Sequence, residues 1–150
     1  MIRTDQQFER GSGPLVSVIL PTRGRTQGLH HAIETLLRQC HDRSLVEILL
    51  KVDDDDKETL EFVKGMGWAS PIKVFTGPRE HGYWHVHEWL TFLGNHAKGD
   101  WLLNWSDDCK MLTYGWDQML MLIGADGKIV GGHSDGIFLY LLRNPQRPGN

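Results

Sequence analysis

The sequence predicts an α/β domain, a three-layer α/β/α sandwich with a mainly parallel central sheet. Three observations point there. Short apolar, β-branched runs alternate with stretches whose apolar residues recur at helical spacing, in the order β-α-β-α-β-α-β-α-β. Polar clusters stand just past the ends of the apolar runs, which is where ligands sit in open parallel sheets. The chain, at 150 residues with 40% hydrophobic and 23% charged residues, has the length and make-up of one globular domain with a real core.

Residues 1–13 are polar, with two glycines and no apolar stretch, so they read as a flexible arm and not as a signal peptide. Residues 15–20 form an apolar, β-branched run stopped by Pro21, the first buried strand. A polar loop over 22–26 follows, and Thr26 is placed to cap a helix. In that helix Leu29, Ile33, Leu36, Leu37 and Cys40 share one face, with His30, His31, Glu34 and Arg38 on the other. Residues 45–52 make the second strand, which breaks off at Asp53-Asp54-Asp55-Asp56, and a short helix over 57–64 is ended by Gly65 and Gly67. The third strand covers 72–75 and runs into a loop over 76–80. A helix over 83–97 aligns Val86, Leu90, Leu93 and Ala97, and Lys98-Gly99 ends it. The fourth strand, 100–105, leads to Ser106-Asp107-Asp108, then residues 114–123 read as helix and 128–132 as a fifth strand. The domain is therefore expected over 14–142, with 143–150, which holds two prolines, as a flexible tail.

The net charge of -3 and the absence of a basic stripe argue against nucleic acid as a partner. No apolar run approaches the roughly 18 residues that would span a membrane. Cys40 and Cys109 stand far apart without metal-type spacing, so both are expected reduced and packed, in a cytoplasmic protein.

Two acidic clusters draw attention. Ser106-Asp107-Asp108 suits either a polar turn or a hard divalent cation, which takes oxygen ligands. Asp53 to Asp56 repel one another unless a helix start, solvent or a cation offsets the charge. Asp55 and Asp56 fit the first turn of the next helix, whereas Asp53 and Asp54 lie closer to the strand and could accept hydrogen bonds from a base or ribose. Arg23, Arg25 and Arg79 occupy Gly-containing loops after strands, either as surface residues or as bidentate grips on phosphate. Of the eight histidines, His81, His85 and His87 lack the spacing of a zinc motif, while His133 is placed to join Asp108 as a further metal or phosphate ligand or to be merely structural. Trp101, Leu103 and Trp105 share one strand face and read as core, as does Trp89 with its helix stripe; Trp116 lies near the cleft, where packing is favoured over stacking on a base or sugar ring. Tyr83 is open between packing and stacking on a base or sugar.

Taken in order, Val16-Ser17-Val18-Ile19-Leu20-Pro21-Thr22-Arg23-Gly24-Arg25, Val52-Asp53-Asp54-Asp55-Asp56 and Trp101-Leu102-Leu103-Asn104-Trp105-Ser106-Asp107-Asp108 resemble family 2-like GT-A glycosyltransferases. Tyr114-Gly115-Trp116-Asp117 resembles the Gly-Trp-Asp that follows the metal motif in some members. The resemblance covers residues 15–135. It implies the nucleotide-diphospho-sugar transferase fold, a UDP- or GDP-sugar donor, an acceptor of unknown identity and Mn²⁺ or Mg²⁺. By position, Pro21, Thr22 and Arg23 would line the nucleotide pocket and Asp54 or Asp53 would bind the base. Asp107 would face the ribose or donor sugar beside the metal, and Asp108 would hold the metal. An inverting member also needs a carboxylate base, for which Asp135 is the remaining candidate. Full-size members continue well beyond this length, and that later region supplies the acceptor site. Two alternatives therefore stand beside a metal-dependent transferase: a nucleotide-sugar-binding module without catalysis, and a nucleotidyltransferase. The latter should carry a Gly-rich phosphate loop after the first strand, and Arg23-Gly24-Arg25 offers one glycine.

Overall fold

The computed structural model describes residues 13–68, 72–79, 85–119, 130–134 and 137–145, with 130–134 and 137–143 described by their backbone pairing. Along the chain these form β1 (Val16–Thr22), α1 (Thr26–Arg38), β2 (Val46–Asp53), α2 (Lys57–Met66), β3 (Ile72–Gly77), α3 (Val86–His96), β4 (Trp101–Asn104), α4 (Trp116–Met119), β5 (Val130–Ser134) and β6 (Ile137–Arg143). The strands make one sheet in the order β3-β2-β1-β4-β6-β5. The first four pair in parallel, while β6 runs antiparallel to both β4 and β5.

Strands covered on both faces read as continuous apolar runs, and β1 and β2 do. Val16, Val18 and Leu20 face a core shared with Leu29, Ile33 and Leu36 of α1 and Val63 of α2. Ile19, Leu49 and Leu102 face the opposite way, onto Leu93 of α3 and the neighbouring Ala97. Helices thus cover both faces, and the three-layer sandwich expected from the sequence is present. Leu29, Ile33 and Leu36 are at most 1% exposed, and burial of such side chains contributes about 1.5–3 kcal/mol apiece.

Several boundaries differ from the sequence reading. Pro21 does not stop β1, which continues to Thr22. The pairing of β1 with β4 ends at Ile19 opposite Asn104, so beyond that point β2 is the only strand neighbour of β1 among the described residues and the missing N–H of Pro21 costs no ladder bond on the β4 side. Thr26 does not cap α1: Arg25 occupies the cap position without a side-chain bond, and Thr26 is the first helical residue. Gly65 lies inside α2, and Gly67, in the left-handed region at φ 59°, ends it. The sequence reading missed β6, which separates β5 from β4. Arg143, assigned there to the tail, closes β6. Asn144 is buried and donates from its side chain to the carbonyls of Ala97 and Gly99 at 3.2 and 2.7 Å. The fifth strand is described over Val130–Ser134 and runs past Gly132, where it was expected to end; residues 128 and 129, also expected in it, lie outside the described residues.

At the N-terminal edge of the sheet, buried Glu47 accepts from the Ser17 hydroxyl (2.5 Å) and the Lys98 N–H (2.6 Å), with Lys73 at 3.4 Å. Ser17 Oγ in turn accepts from the Gly99 N–H at 2.8 Å. Each donor has its acceptor, as buried polar groups require, and this edge is cross-braced.

Candidate functional site

The other edge, at the C-terminal ends of the parallel strands, gathers the sequence clusters. In register, Thr22 lies opposite Val52 and Asp53 opposite Gly77. The loops after β1, β2, β3 and β4 therefore leave the sheet side by side.

On the β4 side, Asp107 is buried and held. Its Oδ2 accepts from Thr22 Oγ1 at 2.8 Å, and its Oδ1 lies 3.4 Å from Arg25 Nη1. The backbone is fixed too: a Cβ on Gly28 of α1 would lie 2.4 Å from the Asp107 carbonyl oxygen, so the glycine lets the first turn of α1 pack directly on this loop. Asp108 points out instead, its side chain 46% exposed, with Arg25 Nη1 at 3.9 Å. A hydrogen bond from Ser106, a further one from the Cys109 thiol and the nearby Arg25 charge outweigh partial burial and hold Asp108 below the usual carboxylate range. Burial and the Asp108 carboxylate raise the Cys109 thiol.

The loop is anchored further on. Met111 N–H donates to Thr35 Oγ1 at 2.9 Å and Gly115 N–H to the Gln39 carbonyl at 2.7 Å. Trp116 is core, as expected, with its indole N–H on the Leu36 carbonyl at 2.9 Å. Buried Asp117 accepts from the N–H groups of His41 and Asp42, both at 2.8 Å. The Gly-Trp-Asp segment therefore clamps the C-terminal end of α1, satisfying groups that a helix end leaves open.

On the β2 side the four aspartates have separate tasks. Asp56 caps α2 through the Thr59 N–H (3.3 Å) and accepts from the Gly24 N–H (2.8 Å). Burial alone would raise its pKa, but these hydrogen bonds outweigh that and lower it. Gly24 has φ +63°, a conformation in which its N–H faces Asp56 without strain. Asp55 takes a two-pronged bond from Arg23 (2.5 and 3.2 Å), which lowers its pKa and raises that of the guanidinium. Arg23 also reaches Asp53 Oδ2 at 3.0 Å. The other oxygen of Asp53 accepts from the ammonium of Lys51, a side chain only 2% exposed that lies 3.6 Å from the centre of the Trp89 ring. Asp54 is exposed, its N–H donating to the Gly77 carbonyl at 2.8 Å.

Pro21, Thr22, Arg23, Arg25, Asp53, Asp54, Asp107 and Asp108 are thus brought to one edge, with exposed Arg79 close enough for its charge to act on Asp55. Arg23 is committed to two carboxylates. Tyr83, Asp135 and His81 lie outside the described residues. His133 is within β5, paired with Phe138, and not past the strand's end. Sequence reasoning missed Lys51 and Gly28. The available signal for the first was a lone charge within the apolar run Ile48 to Val52. The close approach at Gly28 had no local signal. Among the described residues, no group of three or more His, Cys, Asp or Glu side chains is arranged around a common metal position, both cysteines are free and buried, and no helix is long and apolar enough to cross a membrane.

Comparisons with known proteins agree with this architecture. The fold is similar to that of a mannosyltransferase, PcManGT, from Pyrobaculum calidifontis, solved in complex with GDP-Man and Mn²⁺: the TM-score is 0.58 at 18% identity, over 72% of this chain and 31% of that one. It is also similar to residues 1–349 of S. aureus TarS, with a TM-score of 0.54 at 20% identity over 62% of this chain and 27% of that one. TarS in complex with UDP gives 0.50 at 18%. The chain thus spans less than a third of the length of these proteins. No curated protein sequence matches it. The model of glycosyl transferase family 2 matches residues 17–148, nearly the whole sequence, and the chain belongs to that family.

Proposed function

We propose that this chain is the donor-binding part of a metal-dependent glycosyltransferase, which moves a sugar from a UDP- or GDP-sugar to an acceptor hydroxyl. The observation that carries the reading is the pairing of a fixed Asp107 with an exposed Asp108 at the C-terminal edge of the parallel sheet of a family 2 domain. PcManGT, with GDP-Man and Mn²⁺, and TarS, with UDP, make nucleotide and metal the natural ligands to test.

The residues fit such a cation. Mg²⁺ and Mn²⁺ sites at nucleotides need only one or two carboxylates, the remaining ligands being phosphate oxygens and water. Asp108 has the exposure and the lowered pKa for a first ligand, ionised at neutral pH, with Asp107 beside it. A bound cation supplies charge neutralisation for the departing diphosphate. The chain's own residues do the rest. Thr22 keeps Asp107 oriented, and Arg25 and Arg79 add positive charge to the cleft where phosphate approaches. Asp53 and Asp54 offer acceptors to a base. Tyr83 as a stacking ring, His133 as an additional ligand and Asp135 as the general base complete the reading on sequence grounds. Two buried free thiols accord with a cytoplasmic location.

Titration of UDP, GDP, CDP and their sugars, with and without Mn²⁺, against wild type and Asp108→Ala tests this. Binding that needs Mn²⁺ and weakens in the variant is expected. Binding indifferent to both, or no binding, refutes it. Release or transfer of the sugar then separates a transferase from a binding module.

A further inference from the structure

A lysine buried in a strand is costly. Removing an ammonium from water costs several kcal/mol, and replacing a buried ion pair as a whole by well-packed apolar residues is often neutral or better for stability. Lys51 occupies that kind of position, between Leu50 and Val52 in β2, with its side chain 2% exposed. The fold alone does not call for a charge there.

Its surroundings are built around the ammonium. The Trp89 ring lies beneath it at 3.6 Å, and the Pro78 carbonyl accepts from it at 3.4 Å. The ring is itself confined, because a Cβ on Gly77 would come within 2.6 Å of it and Phe92 meets it edge-on with centroids 5.9 Å apart. The remaining direction is toward Asp53 Oδ1. Arg23 holds Oδ2, but that guanidinium is 37% exposed and shared with exposed Asp55. Lys51 is therefore the firmer of the two holds on Asp53. A carboxylate has about four acceptor positions, so both cations can be served with positions left for a ligand.

We propose that Lys51 is a positioning residue for donor recognition: seated on Trp89, it fixes the Asp53 carboxylate so that its remaining acceptor positions meet the nucleotide base. Together with Arg23 it also offsets the charges of Asp53 and Asp55, so that the aspartate run does not repel a diphosphate. The inference rests on the donor-site reading above.

The test measures affinity for uridine and guanosine, and for UDP and GDP, by calorimetry on wild type, Lys51→Met and Lys51→Arg, with thermal midpoints recorded separately. Lys51→Met leaves the buried Asp53 carboxylate without its firmer hold, so the midpoint is expected to fall, and nucleoside to bind roughly tenfold more weakly, the scale of one hydrogen bond to a charged group. The loss should vanish when Asp53→Asn is already present, and Lys51→Arg should recover part of it. Should Lys51→Met not fold, Trp89→Leu, which keeps the lysine but removes its seat, is expected to weaken nucleoside binding in the same direction. Wild-type binding with unchanged affinity in folded Lys51→Met or Trp89→Leu overturns the positioning role and leaves the donor site standing. Absence of any wild-type nucleotide binding overturns the donor site and this role together.

Discussion

Gly28→Ala tests how the helix and the acidic loop are joined. Alanine is the better helix former by about 0.8–1.0 kcal/mol, so the substitution would stabilise an unobstructed helix. Here the new Cβ would sit 2.4 Å from the Asp107 carbonyl oxygen, where contacts under 3.0 Å essentially never occur. The obstacle is backbone, which has no rotamer to adopt. Helix and loop must part by roughly 0.6–1.0 Å, and overpacking of this kind costs about 1–3 kcal/mol, more than the propensity gain. Gly65→Ala is the matched control, because it too lies inside a helix but its Cβ would meet nothing within 4 Å. Urea unfolding should show Gly65→Ala more stable by about 0.5–1 kcal/mol and Gly28→Ala less stable by up to about 2 kcal/mol. Mn²⁺-dependent nucleotide binding should fall in Gly28→Ala alone, since displacement of a site by about 1 Å is enough to cost up to a hundredfold in function. Equal stabilisation by both substitutions, with nucleotide binding intact, would falsify the claim that Gly28 positions Asp107.

Three further outcomes follow from the same geometry. Asp56→Ala removes the α2 cap and the acceptor of the Gly24 N–H, and should cost about 1–2 kcal/mol in urea unfolding, with Asp56→Asn recovering part. Asp55, Asp56, Asp108 and Asp117 all have lowered pKa values in the fold, so the unfolded chain takes up protons first as the pH drops. Stability should hold above about pH 5 and fall progressively below it, through the native pKa values, as unfolding midpoints from pH 7 to 2.5 can show. Burial and the Asp117 carboxylate push the Cys40 thiol up to about 12, so iodoacetamide at pH 8 should label Cys40 in the native protein far more slowly than in urea.

The strand and helix sequence was legible because both faces of β1, β2 and β4 are covered, which turns burial into apolar runs with clear ends. What escaped depended on contacts distant in sequence. Pro21 is tolerated only because β4 has already ended beside it, and β6 inserts between β4 and a strand that precedes it. The two acidic clusters were legible as clusters, but their internal order was not. Nothing in Asp53-Asp54-Asp55-Asp56 says that Arg23 would choose the first and third, Lys51 the first, and Gly24 the fourth. Lys51 was visible as a charge out of place, whereas its partners Trp89 and Pro78 come from elements read separately.

That internal order decides what the edge can bind. Of its six aspartates, Asp53, Asp55, Asp56 and Asp107 are each held by cations, hydroxyls or backbone N–H groups; Asp108, although it accepts from Ser106 and Cys109, keeps its side chain 46% exposed, and Asp54 is exposed. These two leave the sheet from β2 and β4, on either side of β1. Neighbouring strands are about 4.8 Å apart, so their strand ends are separated by roughly 10 Å. Ligand distances of about 2.0–2.6 Å make it difficult for one divalent cation to take both carboxylates. On the donor-site reading the edge offers two separate recognition points, with the guanidinium of Arg25 beside Asp108 and that of Arg79 near Asp55, the chain neighbour of Asp54. An elongated ligand with a hydrogen-bonding group at one end and a metal-borne anion further along satisfies both, which a single metal ion or a compact sugar alone does not.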